Sequence, residues 1–334
     1  WEPLGEFNRG INWFNETFIA GQPGDPHLPP IGWSEDDTTK TNGRYKLDGY
    51  AGDDDILRLR MAFGSSQVPA TKFYDGFAFD NVVIRDRTRN VLLETTSNIG
   101  QPSMTAINSH VYNLVFHTPL NGDESLMQYH TDAPNAGDQF YLNMDGISRV
   151  QTLGYGSNEP GRAYIDGSFI NFASALTDAD FEMDMLQDPK FDVQINGGLQ
   201  YVASQQTFTL SATVTALEDM PELNYRIYTT ITEDSLEYQD NTSYPDMVHA
   251  VVRKDDDNAN LMRRSWTAGD TMNVTLIWDH TNIPYINYQA GRFQGVVFIQ
   301  AKESSNKEVF QVATTRDVSR YFLGVDPSIP VVQD

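Results

Sequence analysis

"NVLLETTSNIGQPSMTAI", residues 90–107, is the stretch on which the reading of the fold turns. Val91-Leu92-Leu93 is a short continuous apolar run, the mark of a buried strand. Pro102 stands where the first helical residue belongs, because its missing N–H is not needed there and its φ is already helical. Met104, Ile107, Val111, Leu114 and Val115 then recur at helical spacing. Strand, tight turn and helix follow in that order, and the turn carries Asn98, Ile99, Gly100 and Gln101.

Working outward, residues 87–189 continue the alternation of elements. Ser125–His130 reads as a second strand, and Phe140, Met144, Ile147, Val150 and Leu153 form the stripe of a second helix. Asp166-Gly167 between apolar pairs signals a hairpin across Arg162–Asn171. Thr177 with Asp180 three residues on reads as a capping box opening a third helix, which Asp188-Pro189 ends. The order is β-α-β-α-β-β-α.

The flanking blocks are β. In residues 190–317 apolar residues alternate at Phe208–Val214, Leu223–Ile227 and Met272–Trp278. With Met247–Arg253, Gly291–Ala301 and Glu308–Thr315, these runs fit a two-sheet sandwich. Residues 1–86 are rich in turn residues and alternate at Leu57–Met61 and Phe77–Ile84, which predicts strands there. Residues 318–334 carry two prolines and no periodicity, as a linker does.

Composition narrows the chemistry. The 46 acidic residues against 23 basic ones give a net charge of −23, which repels phosphate backbones and argues against nucleic-acid binding. No apolar run is long enough to span a bilayer. The chain has no cysteine, so disulfides, thiolate zinc sites and thiol nucleophiles are excluded together.

Residues 88–316 resemble the twenty-eight-kilodalton outer membrane protein family of Bacteroidetes. The stretches that carry the resemblance are "YRIYTTITEDSLEYQD" (Tyr225–Asp240), "VHAVVR" (Val248–Arg253) and "GVVFIQAKESSNKEVFQVA" (Gly295–Ala313). Together they follow the family's succession of an E-D pair, a Gln, an H-x-x-x-R strand and a late F-x-Q strand. The resemblance implies an α/β thioredoxin-like domain (87–189) followed by an all-β Ig-like sandwich (190–317). Taking Pro102 as the family's proline puts Asn98 and Gln101 on the two cysteine positions of the redox turn. "NEPGRAYIDG" (Asn158–Gly167) then matches the segment carrying the fold's cis-proline, at Pro160.

"LDGYAGDDDILRLRMAFGSS" (Leu47–Ser66) and "DGFAFDNVVI" (Asp75–Ile84) resemble the last strand motifs of MAM and laminin-G-like jelly-rolls. "WEPLGEFNRGINWFN" (Trp1–Asn15) resembles the middle of such a domain, so the expectation is a chain that begins inside a partial β jelly-roll, its missing strands supplied from elsewhere. Proteins of this build commonly end in a signal domain for the type IX secretion system, so the resemblance implies a type IX secretion cargo. The localisation implied is the extracellular or outer-membrane surface of a Gram-negative, Bacteroidetes-like bacterium.

Each candidate chemistry has a plainer reading beside it. The six histidines are scattered; His110 and His117 are seven apart, and no H-E-x-x-H or G-x-S-x-G occurs. Glu233 and Asp234 are strand neighbours that point to opposite faces and cannot share a site. Calcium is the one metal considered, with Asp53, Asp55 and the jelly-roll acid Asp80 as candidate oxygen ligands and Asp255-Asp256-Asp257-Asn258 as a second cluster. The alternative is that these are solvated turns of an acidic chain. Trp13, Trp33, Tyr45 and Tyr50 are residue types that stack on glycans, and equally the filling of a small β core. N-x-S/T tripeptides stand at Asn15, Asn241 and Asn273.

The expectation is a non-catalytic secreted surface protein with a redox-dead thioredoxin-like scaffold. It would work by adhesion, partner binding or self-assembly with protein or glycan partners, and it requires no cofactor. The rival expectation is an accessory, glycan-binding region of a larger secreted hydrolase.

Overall fold

Val91–Ser97 forms β1, buried along its whole length, in a computed structural model that describes residues 2–19, 30–33, 42–47, 58–63, 79, 81–85, 88–98, 101, 103–116, 124–131, 149, 159–234, 236, 250–256, 261–281, 291–303 and 307–315. Contacts divide the chain into two units: Trp1–Thr88 with Glu182–Gln187, and Arg89–Phe181 with Asp188–Asp334. The protein is mostly β, with few helices and more than one sheet.

In the second unit the apolar run at 91–93 becomes the centre of a sheet. Helix α1 (Ser103–Phe116) buries Met104, Val111, Leu114 and Val115, four of the five residues its spacing singles out, leaves Ile107 half-buried, and returns the chain to β2 (Glu124–His130), parallel to β1. β3 (Arg162–Ile165) lies antiparallel on the other side of β1, and β4 (Ser168–Phe172) pairs with β3. Asp166 and Gly167 join them with φ of 44° and 84°, the pair of positive values a type I′ turn needs. At the start of α2 (Ala179–Met185), Asp180 Oδ2 accepts from both the backbone N–H and the hydroxyl of Thr177, at 2.7 and 3.0 Å. Most of the expected helix over 140–153 lies outside the described residues; Arg149 is within them.

Eight strands follow: β5 (Phe191–Val202), β6 (Thr207–Ala216), β7 (Met220–Glu233), β8 (Val251–Asp256), β9 (Leu261–Trp266), β10 (Thr271–Asp279), β11 (Phe293–Ala301) and β12 (Val309–Thr314). β10, β6 and β5 make a three-stranded sheet. β6 sends Phe208, Leu210, Ala212, Val214 and Ala216 inward and Thr207, Thr209, Ser211, Thr213 and Thr215 outward, the period-2 pattern of a sheet with one wet face. The other strands do not form a sheet of their own. They run in the order β12-β11-β7-β8-β2-β1-β3-β4, with β9 also on β7, because Gln128 of β2 pairs in parallel with Val251 of β8 and donates to Ala250 O at 2.8 Å. Residues on both sides of position 190 therefore share one sheet.

β7 and β11 consequently have two buried faces. Tyr225, Ile227, Ile231, Val297 and Ile299 join Phe191, Phe208, Leu210 and Trp266 in one core. Tyr228, Val296 and Phe298 join Leu92, Met127, Tyr129 and Tyr164 in another. Each set alternates along its strand, and both read as apolar in the sequence because both sides are dry.

The first unit departs from expectation. Its described residues hold two isolated bridges, Ile11 with Arg44 and Glu16 with Gly32, and no regular strand. Of the stretches read as strands from their alternation, 57–61 and 77–84, residues 57, 77, 78 and 80 lie outside the described residues; 58–61, 79 and 81–84 lie outside any strand and leave Leu59, Met61, Val82, Val83 and Ile84 exposed. Alternation says that a segment suits a pleated, half-buried surface; it becomes a strand only where a neighbour supplies the ladder. What does form is a small aromatic cluster. Trp13 stacks on Tyr45, Trp33 meets Trp13 and Phe14 edge-on, and both indole N–H groups donate to backbone carbonyls, Trp13 to Leu4 and Trp33 to Asn12. Among the described residues no helix is long and apolar enough to cross a membrane.

Candidate functional site

The turn after β1 is built from amides. Asn98 has no exposed surface; its Nδ2 donates to Thr131 O at 2.9 Å, and its carbonyl accepts from Gln101 N at 3.1 Å. Gln101 O in turn accepts from Met104 N, which leads the chain into α1. Two residues upstream of Asn98, Thr96 holds the loop around Pro160. Its Oγ1 donates to Glu159 O at 2.7 Å and accepts from Arg162 N, and its carbonyl accepts from Gly161 N. The sequence-picked Asn98, Gln101 and Pro160 thus gather at one end of β1, with backbone hydrogen bonds and not a reactive atom between them.

A polar chain that sequence reasoning missed runs beside this turn. Ser97 Oγ and the Asn108 side chain are in hydrogen-bond contact at 3.2 Å, Gln128 Nε2 donates to Asn108 Oδ1 at 3.0 Å, and His130 Nε2 meets Gln128 Oε1 at 3.0 Å. Among the described residues the hydroxyl therefore faces an amide and not the base that a nucleophile–base contact requires. His110 is also engaged, with Nε2 2.9 Å from Leu176 O.

The residues that carry the family-like motifs form buried ion pairs. Glu94 accepts two hydrogen bonds from Arg149, whose third arm donates to Gln300 Oε1 at 3.0 Å. Tyr129 Oη donates to the same Glu94 at 2.9 Å, and Gln300 Nε2 goes on to Lys307 O. The guanidinium lies 4.2 Å from the Tyr228 ring centroid and 4.6 Å from that of Phe298. A charge sealed this deeply is tolerable because every direction offers an acceptor or a π face.

The E-D pair serves the same end. Glu233 Oε2 accepts from Arg253 Nε at 2.7 Å, and Asp234 Oδ1 accepts from Ala250 N at 2.6 Å. Burial raises the Glu233 carboxyl above its usual range, with the Arg253 charge and hydrogen bond working the other way. At the β3–β4 turn Asp166, 4% exposed, accepts from Leu92 N at 2.8 Å and from Arg89 Nη2 at 2.7 Å, while its backbone carbonyl takes Val309 N. These contacts bind β1, the hairpin and β12 at one point.

Of the calcium candidates, Asp53, Asp55 and Asp80 lie outside the described residues, as do Tyr50, Asp257 and Asn258. Among the described residues no group of three or more His, Asp or Glu side chains is placed to hold a metal. An exposed edge closes the inventory. β4 ends the nine-stranded sheet with Phe169, Ile170 and Phe172 at 50%, 36% and 46% exposure, and no charged residue stands between Asp166 and Asp178.

No family model and no curated protein matches the chain. Among solved structures it is similar to HBP35 of Porphyromonas gingivalis, at 10% identity and TM-score 0.49, over 75% of this chain and 81% of that one. It is also similar to the sporulation control protein Spo0M of Bacillus subtilis, at 6% identity and TM-score 0.24, over 37% and 46%. A β-glucosidase of Listeria innocua in complex with isofagomine matches at 12% identity and TM-score 0.20, over 36% of this chain and 16% of that one. At these scores the likenesses establish neither a shared fold nor a shared role.

Proposed function

We propose that this chain is a non-catalytic, secreted surface protein that works through contacts with other proteins. In this reading β1–α1–β2 with the β3–β4 hairpin is a thioredoxin-like domain without thiols, and β5–β12 is an Ig-like sandwich that shares its sheet. The observation that carries the proposal is Asn98, on the position the resemblance gives to a reactive cysteine. It is an amide, fully buried, and tied to Thr131. Such a group braces a strand end and exchanges neither electrons nor acyl groups. The motif acids Glu233 and Asp234 are likewise committed to Arg253 and Ala250 N, and the buried Glu94 to Arg149, which supports a structural use of these acids. The charge-free β4 edge offers a place for partner contact on an otherwise acidic chain.

Calcium held by Asp53, Asp55 and Asp80, and export to the cell surface, belong to the same proposal. The test is the native mass of the particle isolated from its source, with every polypeptide in it identified. A complex of several chains supports the proposal, and a lone monomer contradicts it.

A further inference from the structure

His280 follows the last residue of β10 and is enclosed by aromatic rings from the strands of the three-stranded sheet. Tyr201 of β5 stacks on it at 5.7 Å and 20°, Phe208 of β6 lies at 5.3 Å, and Trp278 of β10 at 5.6 Å. The imidazole is 4% exposed, and its Nε2 is buried with no hydrogen-bond partner. Its backbone N–H donates to Gln206 O at 3.1 Å, and Gln206 belongs to the tight β5–β6 turn with φ of 49°. One residue therefore joins the end of β10 to the turn between the other two strands.

We infer that His280 is an acid-released clasp: neutral, it closes this end of the three-stranded sheet, and protonated, it lets the β5–β6 turn open. The inference goes beyond the proposed function and does not depend on it. An imidazolium has two N–H donors, and here Nε2 would carry a proton into a ring-lined space where no described residue offers it an acceptor. The groups facing the imidazole are few. Asp279, its chain neighbour, is exposed and bound to Thr281; β5 contributes the Tyr201 phenol; β6 contributes Phe208 and no charge. β11 brings Phe293 against Phe208, with Arg292 the charged residue before it.

Burial lowers the affinity of His280 for a proton below the ordinary histidine range, against the opposing effects of a hydrogen bond to its own backbone and, more weakly, of the Asp279 charge. The sign follows. The opened form takes up its proton first as pH falls through the ordinary histidine value, so the clasp is fully closed above that value and weakens below it.

The experiment is an NMR titration of His280 with amide hydrogen exchange at pH 7.5 and pH 5, on the intact chain and on His280→Phe. We expect the imidazole to titrate below the ordinary value. Corrected for the intrinsic exchange rate, the protection of the His280 amide should fall between the two pH values, by at most about thirtyfold because pH 5 lies ~1.5 units below the ordinary histidine value. β1 amides should keep theirs, and His280→Phe should remove the pH dependence. Titration at or above the ordinary value overturns the inference on the unmodified chain alone, whether or not the variant folds. An unchanged pH dependence in a folded His280→Phe overturns it as well.

Discussion

Arg149 grips both carboxylate oxygens of Glu94 inside the protein, between the rings of Tyr228 and Phe298, and neither charge reaches water. Desolvating two ions costs several kcal/mol each, so the pair is a brace that works only when complete. Glu94→Ala alone should lose about 3–5 kcal/mol of stability, because it strands a buried guanidinium. The double change Glu94→Leu with Arg149→Met should recover most of that loss. Urea unfolding of the three variants checks both statements; a Glu94→Ala protein as stable as the parent contradicts the brace.

Gly167 is required by both its conformation and its surroundings. Its φ is +84°, and a Cβ there would lie 1.9 Å from Lys307 O. Gly167→Ala should therefore cost more than the ~1–3 kcal/mol of a strained backbone alone. Gly198 gives the comparison, since its φ is +71° and nothing lies within 4 Å of its Cβ position. Thermal unfolding should separate the two, with Gly167→Ala clearly the worse.

Tyr225 should make the fold sensitive to alkali. Its hydroxyl donates to Pro221 O at 2.7 Å, and burial, helped by Glu308, pushes its pKa up to about 12. The unfolded chain releases this proton near pH 10, about the ordinary tyrosine value. Stability from Tyr225 is thus complete below that value and drains away between it and about 12. Ultraviolet titration should find Tyr225 ionising late, as burial also makes Tyr164 do, and Tyr225→Phe should remove its share of that late step and flatten this part of the stability profile.

Asn98 is predicted to be irreplaceable by its nearest isostere. Asn98→Asp turns the donor to Thr131 O into an acceptor facing an acceptor, in a place without water. A loss of about 1–3 kcal/mol follows from leaving that carbonyl unpaired. Chemical denaturation at neutral pH measures it, and no loss would mean that the turn does not depend on this amide.

The sequence foretold what local chemistry decides. Strand, turn and helix at 90–116, the Asp166-Gly167 turn and the Thr177–Asp180 contact all depend on residues a few positions apart. β5 escaped because Asn196-Gly197-Gly198 interrupts its alternation, with Gly197 and Gly198 at positive φ and a register shift between Ile195 and Leu199. Of the stretches expected as strands over 57–61 and 77–84, the described residues 58–61, 79 and 81–84 lie outside any strand: the pattern was present, and among the described residues no ladder partner stands beside it.

The ion pairs lay furthest from view. Arg149 pairs with Glu94 across 55 positions and Arg89 with Asp166 across 77, and no spacing rule reaches so far. The E-D and H-x-x-x-R motifs did point to Glu233, Asp234 and Arg253, though not to the pairing of one with another.

β1–β4 and strands β7, β8, β11 and β12 stand or fall together, as one sheet braced by buried charges. Hydrogen exchange in mild urea tests this most directly, by following amides of β1 and β2 beside those of β7 and β11. The account predicts that both sets open with the same free energy and the same urea dependence. If β1 and β2 exchange at low urea while β7 and β11 stay protected, the shared sheet does not couple them, and the account is wrong.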